Sequence, residues 1–131
     1  MKFLLSAIVL MLLSCAPSFN LTDRNGQKFA VEKTSYEVGQ GDGGKNVNLK
    51  YKVGGAMVSL SLGDIVSLEM PNAEPTIFDG RIFYPATVIL EDTLSVPQNG
   101  YICVEGVFTG KNAGSKFSIR VADVAEIRRA E

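Results

Sequence analysis

Cys15 and Cys103 are the only thiols of this 131-residue chain, and no histidine accompanies them. Without an imidazole the commonest general base and metal ligand is missing, which removes the usual serine- and cysteine-nucleophile arrangements. Carboxylates remain, among them Asp79, Glu91, Asp92, Glu105 and Glu126. Neighbouring residues on a strand point to opposite faces, so Glu91 and Asp92 do not make an acid and base pair. These charges read as solvent-facing groups that keep strands soluble and discourage edge pairing. Asp42 and Asp79 lie in loops without the oxygen-ligand spacing a calcium site needs. No catalytic residue and no metal ligand is expected.

One glycine pattern, Gly39-Gln40-Gly41-Asp42-Gly43-Gly44, satisfies GxGxxG literally after the strand-like Tyr36-Glu37-Val38. A dinucleotide site requires a helix directly afterwards, whose N-terminus meets the pyrophosphate. Here Val47-Asn48-Leu49 continues as a strand pattern, so the segment reads as a hairpin loop and no small-molecule cofactor is expected. Nor is nucleic acid a partner by this reading: the formal charge is -1, and basic residues are scattered, with Arg128-Arg129 the only adjacent pair.

The chemistry that stands out belongs to Cys15. Lys2 precedes an apolar run from Phe3 to Leu13 in which only Ser6 is polar, the pattern of a signal-peptide core. A bilayer needs about 20 apolar residues, so this run is too short to span one. It ends in Leu12-Leu13-Ser14-Cys15, which resembles the lipobox of bacterial lipoproteins. That resemblance implies that residues 1–14 are a cleaved signal helix, that the Cys15 thiol carries diacylglycerol, and that Cys15 becomes the first mature residue. Two or three acyl chains, at about 0.8 kcal/mol per buried CH₂, would hold the protein on its membrane. Ala16 is not the aspartate that retains many lipoproteins in the inner membrane of diderm bacteria, which points to the periplasmic face of the outer membrane. Ordinary secretion is the competing reading, with cleavage after Ala16 at Ser14-Cys15-Ala16, but Pro17 would then follow the scissile bond. A lipidated Cys15 leaves Cys103 without a disulfide partner and excludes thiolate zinc sites. Cys103, in Tyr101-Ile102-Cys103-Val104, is then a small, partly buried apolar residue.

The elements behind the anchor are strands. Residues 15–27 are polar and turn-prone and read as a tether; residues 28–131 read as one all-β domain. Val47 to Val53 and Lys116 to Val121 alternate apolar and polar residues, the mark of strands with one wet face. Turn signals fall at Gly39 to Gly44, Gly54-Gly55, Asp79-Gly80, Asn99-Gly100 and Lys111 to Gly114, which spaces eight to ten short strands as in a sandwich or small barrel. Residues 55–68 align without gaps on residues 114–127, sharing the phrase apolar, Ser, apolar, any, apolar, small, Asp, apolar. Asp64 and Asp123 of that phrase read as structural corner residues whose carboxylates accept bonds from the following backbone N–H groups. The domain is therefore expected to be two related β halves, about 28–70 and 76–131, joined at Pro71 to Pro75 and sharing one core.

These features favour a membrane-anchored, non-catalytic envelope module that binds another protein or has a structural role. A small inhibitor, similar in size and anchoring to periplasmic lysozyme-inhibitor lipoproteins, is the alternative, although their Ser-Gly-x-x-Tyr signature is absent from this chain. A carboxylate-only enzyme is the third class.

Overall fold

Alternating apolar and polar residues become eleven antiparallel strands in the computed structural model, which describes residues 16–38, 48–91 and 97–130. The signal segment, Cys15, the glycine-rich loop with Asp42, and Asp92 lie outside the described residues. The strands are β1 Phe19–Asp23, β2 Lys28–Glu37, β3 Leu49–Val53, β4 Ala56–Leu60, β5 Ile65–Glu69 and β6 Thr76–Phe78. They continue with β7 Arg81–Leu90, β8 Pro97–Cys103, β9 Val107–Asn112, β10 Ser115–Arg120 and β11 Val124–Arg129. The fold is all-β: one sheet of order β10-β9-β2-β1-β11-β5-β7-β8-β3-β4, with β6 paired to β7. No helix among the described residues is long and apolar enough to cross a membrane.

The ten strands of the order divide into two units of five that meet where β11 pairs β5, and β6 adds to the second through β7. The β3–β4 hairpin sets Tyr51 opposite Val58 and Lys52 opposite Met57. The β9–β10 hairpin sets Gly110 opposite Phe117 and Lys111 opposite Lys116, each residue 59 positions after its counterpart. Short 3-10 corners follow at the same offset, Leu62–Asp64 and Val121–Asp123. At the seam Leu68 stands opposite Ile127. Those two residues are also counterparts, so a pseudo-twofold axis passes between them.

The units do not coincide with the halves of the sequence. Strands β9, β10 and β11 pair with β1 and β2, whereas β3, β4 and β5 pair with β7 and β8. Each half of the chain thus completes the other. The segment Pro71 to Pro75 lies inside the second unit, between β5 and β7, and the chain crosses between units after β2 and again at residues 104–106. Gly106 makes the second crossing with φ +97 and no room for a Cβ, which would lie 2.5 Å from the Glu37 carbonyl oxygen. Phe19, Leu21, Val31 and Phe108 of the first unit and Leu49, Tyr51, Ile65 and Val88 of the second belong to one buried cluster. A core shared in this way suits units too small to bury much apolar surface separately.

Two expectations need correction. The stretch 15–27 is not a tether throughout, because β1 occupies its middle as an inner strand between β2 and β11, with Phe19 and Leu21 each 1% exposed. Asn20 and Thr22 supply the polar half of a short alternation that the flanking turn residues obscure. Asn99-Gly100, expected as a turn, lies inside β8. Gly100 is small there because the Tyr51 ring lies against it: a Cβ would sit 2.7 Å from that ring.

Candidate functional site

Both corner aspartates close tight 3-10 turns, by means other than their expected bonds to following N–H groups. At the first corner the Asp64 N–H donates to the Ser61 carbonyl at 3.0 Å, and the Ser61 hydroxyl accepts the Gly63 N–H at 3.3 Å. At the second, Arg120 replaces Ser61 and holds the Asp123 carboxylate through two bonds of 3.0 and 3.1 Å. The equivalent carbonyls of these corners, Gly63 and Ala122, each receive an arginine. Arg129 donates to Gly63 and pairs with Glu91 at 2.8 Å. Arg24 donates to Ala122 at 3.2 Å and to the Met70 carbonyl at 2.8 Å, with its guanidinium 5.0 Å from the centre of the Tyr84 ring. Arg24 thereby ties the first hairpin to the second corner and to the end of β5.

The remaining candidates for chemistry are dispersed. Cys103 is a buried free thiol, and burial pushes its pKa up, the reverse of what a reactive thiolate needs. Asp79 occupies the β6–β7 turn with φ +51. Glu105 offers its carbonyl to the Tyr36 hydroxyl at 2.7 Å. Glu126 faces Glu69 across the seam, and both line a shallow concavity with Arg24, Thr22 and Asn72. Arg128 reaches both carboxylates as their counter-ion. The concavity therefore presents an ion-paired surface rather than two opposed free acids.

The two strands that end the main order of the sheet, β10 and β4, occupy equivalent places and differ in chemistry; the three-residue β6, paired only to β7, is a further, shorter edge. Val53 and Ala56 flank the two-residue turn of the β3–β4 hairpin and form its first hydrogen-bonded pair. Alternation then directs the N–H and C=O groups of Met57 and Ser59 away from β3. Among the described residues no strand pairs with that side. In β10 the corresponding outward positions are Lys116 and Ser118, and Arg120 follows; such charges obstruct an incoming strand. Phe117 of β10 is covered by Phe29, with ring centroids 5.0 Å apart. Its counterpart in β4, Val58, remains 38% exposed, and Met57 is 47% exposed. The residue placed like Phe29 in the second unit is Gln98, which offers no such cover. β4 is thus an uncharged, partly apolar edge with free backbone groups.

Sequence reasoning did not identify Arg24 or the β4 edge. The signal for the edge was present in the gapless repeat, where Met57 aligns with Lys116 and Ser61 with Arg120. Comparison with known protein families, with curated proteins and with solved structures gives no match.

Proposed function

We propose that this chain is an exported, lipid-anchored, non-catalytic module that binds another envelope protein by accepting one of its strands alongside β4. The observation that carries the reading is the contrast between two equivalent edges: β10 guarded by Lys116 and Arg120, β4 left with Met57, Val58 and Ser59. An exposed strand with free N–H and C=O groups is a template for pairing with another chain. Main-chain bonds then supply affinity, while alternate side chains supply selectivity.

The anchor reading supports a position close against the lipid. The Pro17 carbonyl accepts the Thr34 N–H at 2.8 Å and the Ser18 carbonyl accepts the Ala130 N–H at 2.9 Å. Only residues 16–18 separate Cys15 from β1, a reach of at most ~14 Å. A lipid on Cys15 would hold the module directly on the membrane, with the periplasmic face of the outer membrane as its expected site.

Two experiments test this. Cys15→Ser should move the protein from the membrane to the soluble fraction; firm membrane association of the variant would contradict the anchor. A photo-crosslinking residue at position 57 of the anchored protein should give one dominant protein adduct in native membranes, and one at position 116 should not. Equal labelling from both edges, or uncrosslinked monomer alone, would contradict the binding role.

A further inference from the structure

We infer that the strand accepted by β4 carries acidic side chains on the face it shares with Lys50 and Lys52, and apolar side chains on the opposite face; this rests on the reading of β4 as the receiving edge. Lys52 stands opposite Met57 and Lys50 opposite Ser59, so both lysines share the outer face of the sheet with the outward-bonding positions of β4. The pseudo-twofold relation shows what these lysines lack. The counterpart of Lys52 is Lys111, and β2 places Glu32 directly opposite it. The counterpart of Lys50 is Thr109, whose hydroxyl donates to the Glu37 carboxylate at 3.2 Å. In the second unit β8 takes the place of β2 and sets Tyr101, not an acid, opposite Lys52. Among the described residues no carboxylate pairs with Lys50 or Lys52; the Lys52 ammonium lies 5.0 Å from the centre of the Phe78 ring.

The strip is therefore positive and without a carboxylate among the described residues, the Lys52 ammonium donating to the Gly54 carbonyl at 3.4 Å, and it borders the unpaired side of β4. A strand added beside β4 would lie two strand spacings, about 10 Å, from β3. Ser59 is small, so the flexible stem of Lys50 can extend over it toward a carboxylate on the added strand. On the inner face, the residue opposite Val58 would complete the cover that Phe29 gives Phe117 in the first unit. The partner segment thus reads as an alternation of apolar residues with Asp or Glu.

The test uses the full-length protein in detergent and three capped nine-residue peptides in which valine alternates with glutamate, serine or lysine. The glutamate peptide should bind about three- to tenfold tighter than the serine peptide, the scale of one or two partly exposed charge pairs. The lysine peptide should bind weakest, and Lys50→Glu with Lys52→Glu should reverse the order. Bound peptide should slow hydrogen exchange at the Met57 and Ser59 amides, with little change at Val58, whose amide already bonds β3. Equal protection by all three peptides would overturn the acidic preference and leave strand addition standing. Failure of every peptide to slow exchange at Met57 and Ser59 would overturn the reading of β4 itself. Protection of those amides in a dimer of the protein alone would assign the edge to a second copy and overturn the inference.

Discussion

Arg24 connects more of the molecule than any other side chain near the seam. Its two bonds to the Ala122 and Met70 carbonyls join elements 98 and 46 residues away in sequence. One guanidinium nitrogen, Nη2, is buried without a hydrogen-bond partner, so the side chain is held at some cost and its removal is partly offset. Arg24→Ala is expected to destabilise the protein by about 2–3 kcal/mol, given roughly 1.5–3 kcal/mol per charged hydrogen bond less that offset. Chemical denaturation checks it; an unchanged midpoint would show that the arginine only decorates the seam. No periodicity or motif marks Arg24, because its carbonyl partners are backbone atoms brought near by the fold. A second expectation concerns pH. Burial, followed by the nearby Cys103 and Glu105, raises the Tyr36 pKa, and burial raises that of Cys103. The folded state therefore keeps protons that the unfolded chain releases above pH about 9–10. The stability tied to these groups is complete below that range and is lost progressively as pH rises from it toward the raised values of the folded state. Urea midpoints should fall between pH 8 and pH 10.5, with a shallower fall in Tyr36→Phe; a flat profile would contradict the burial of both groups.

Hairpins are the elements in which sequence and structure agree best. Gly54-Gly55 and Ala113-Gly114 each turn a two-residue hairpin, and the corners follow at the spacing the repeat announces. These features are local, so residue types and their order report them. Gly100 illustrates the opposite case: read from its neighbours it is a turn, but its size is set by Tyr51 on a strand distant in sequence. The equivalent contact in the first unit reverses the roles, with Gly110 making room for Val31. A Cβ on Gly100 would meet the Lys52 carbonyl oxygen at 2.5 Å, so backbone rather than a flexible tip must move. Gly100→Ala should cost about 1–3 kcal/mol, the usual range for overpacking. A thermal midpoint unchanged by this substitution would mean that β3 and β8 can separate without loss. The edges obey the same lesson. Their difference is written in Met57 and Lys116, yet it acquires meaning only once both strands are known to be outermost.

At the scale of the molecule, the two sequence halves exchange their strands, and no local pattern could disclose that. The repeat shows that related hairpins exist; it does not show with which partner each one pairs, because pairing is a non-local choice. The same limit hid β1, whose apolar Phe19 and Leu21 are too few to stand out until β2 and β11 flank them. With one core crossing the seam, the units should unfold together. Leu68, fully buried in β5 opposite Ile127 of β11, sits at the seam between the units. Leu68→Ala is expected to cost about 2–5 kcal/mol and to lower the protection of slow-exchanging amides in β3 and in β9 by the same amount. Loss of protection in only one unit would mean that the two fold independently.

The proposal that β4 is a receiving edge meets its most direct test in a variant that copies the guarded edge onto the open one. Met57→Lys with Ser61→Arg gives β4 the charges of β10 at exposed positions; the Ser61 bond to the Gly63 N–H is exchanged for an arginine that can hold Asp64 as Arg120 holds Asp123, so stability should change by no more than about 1 kcal/mol. With the photo-crosslinking residue at position 59, the anchored protein should form its dominant adduct in native membranes, and the guarded-edge variant, equally abundant and equally stable, should lose it. An adduct of undiminished yield from the guarded-edge variant would contradict strand addition at β4.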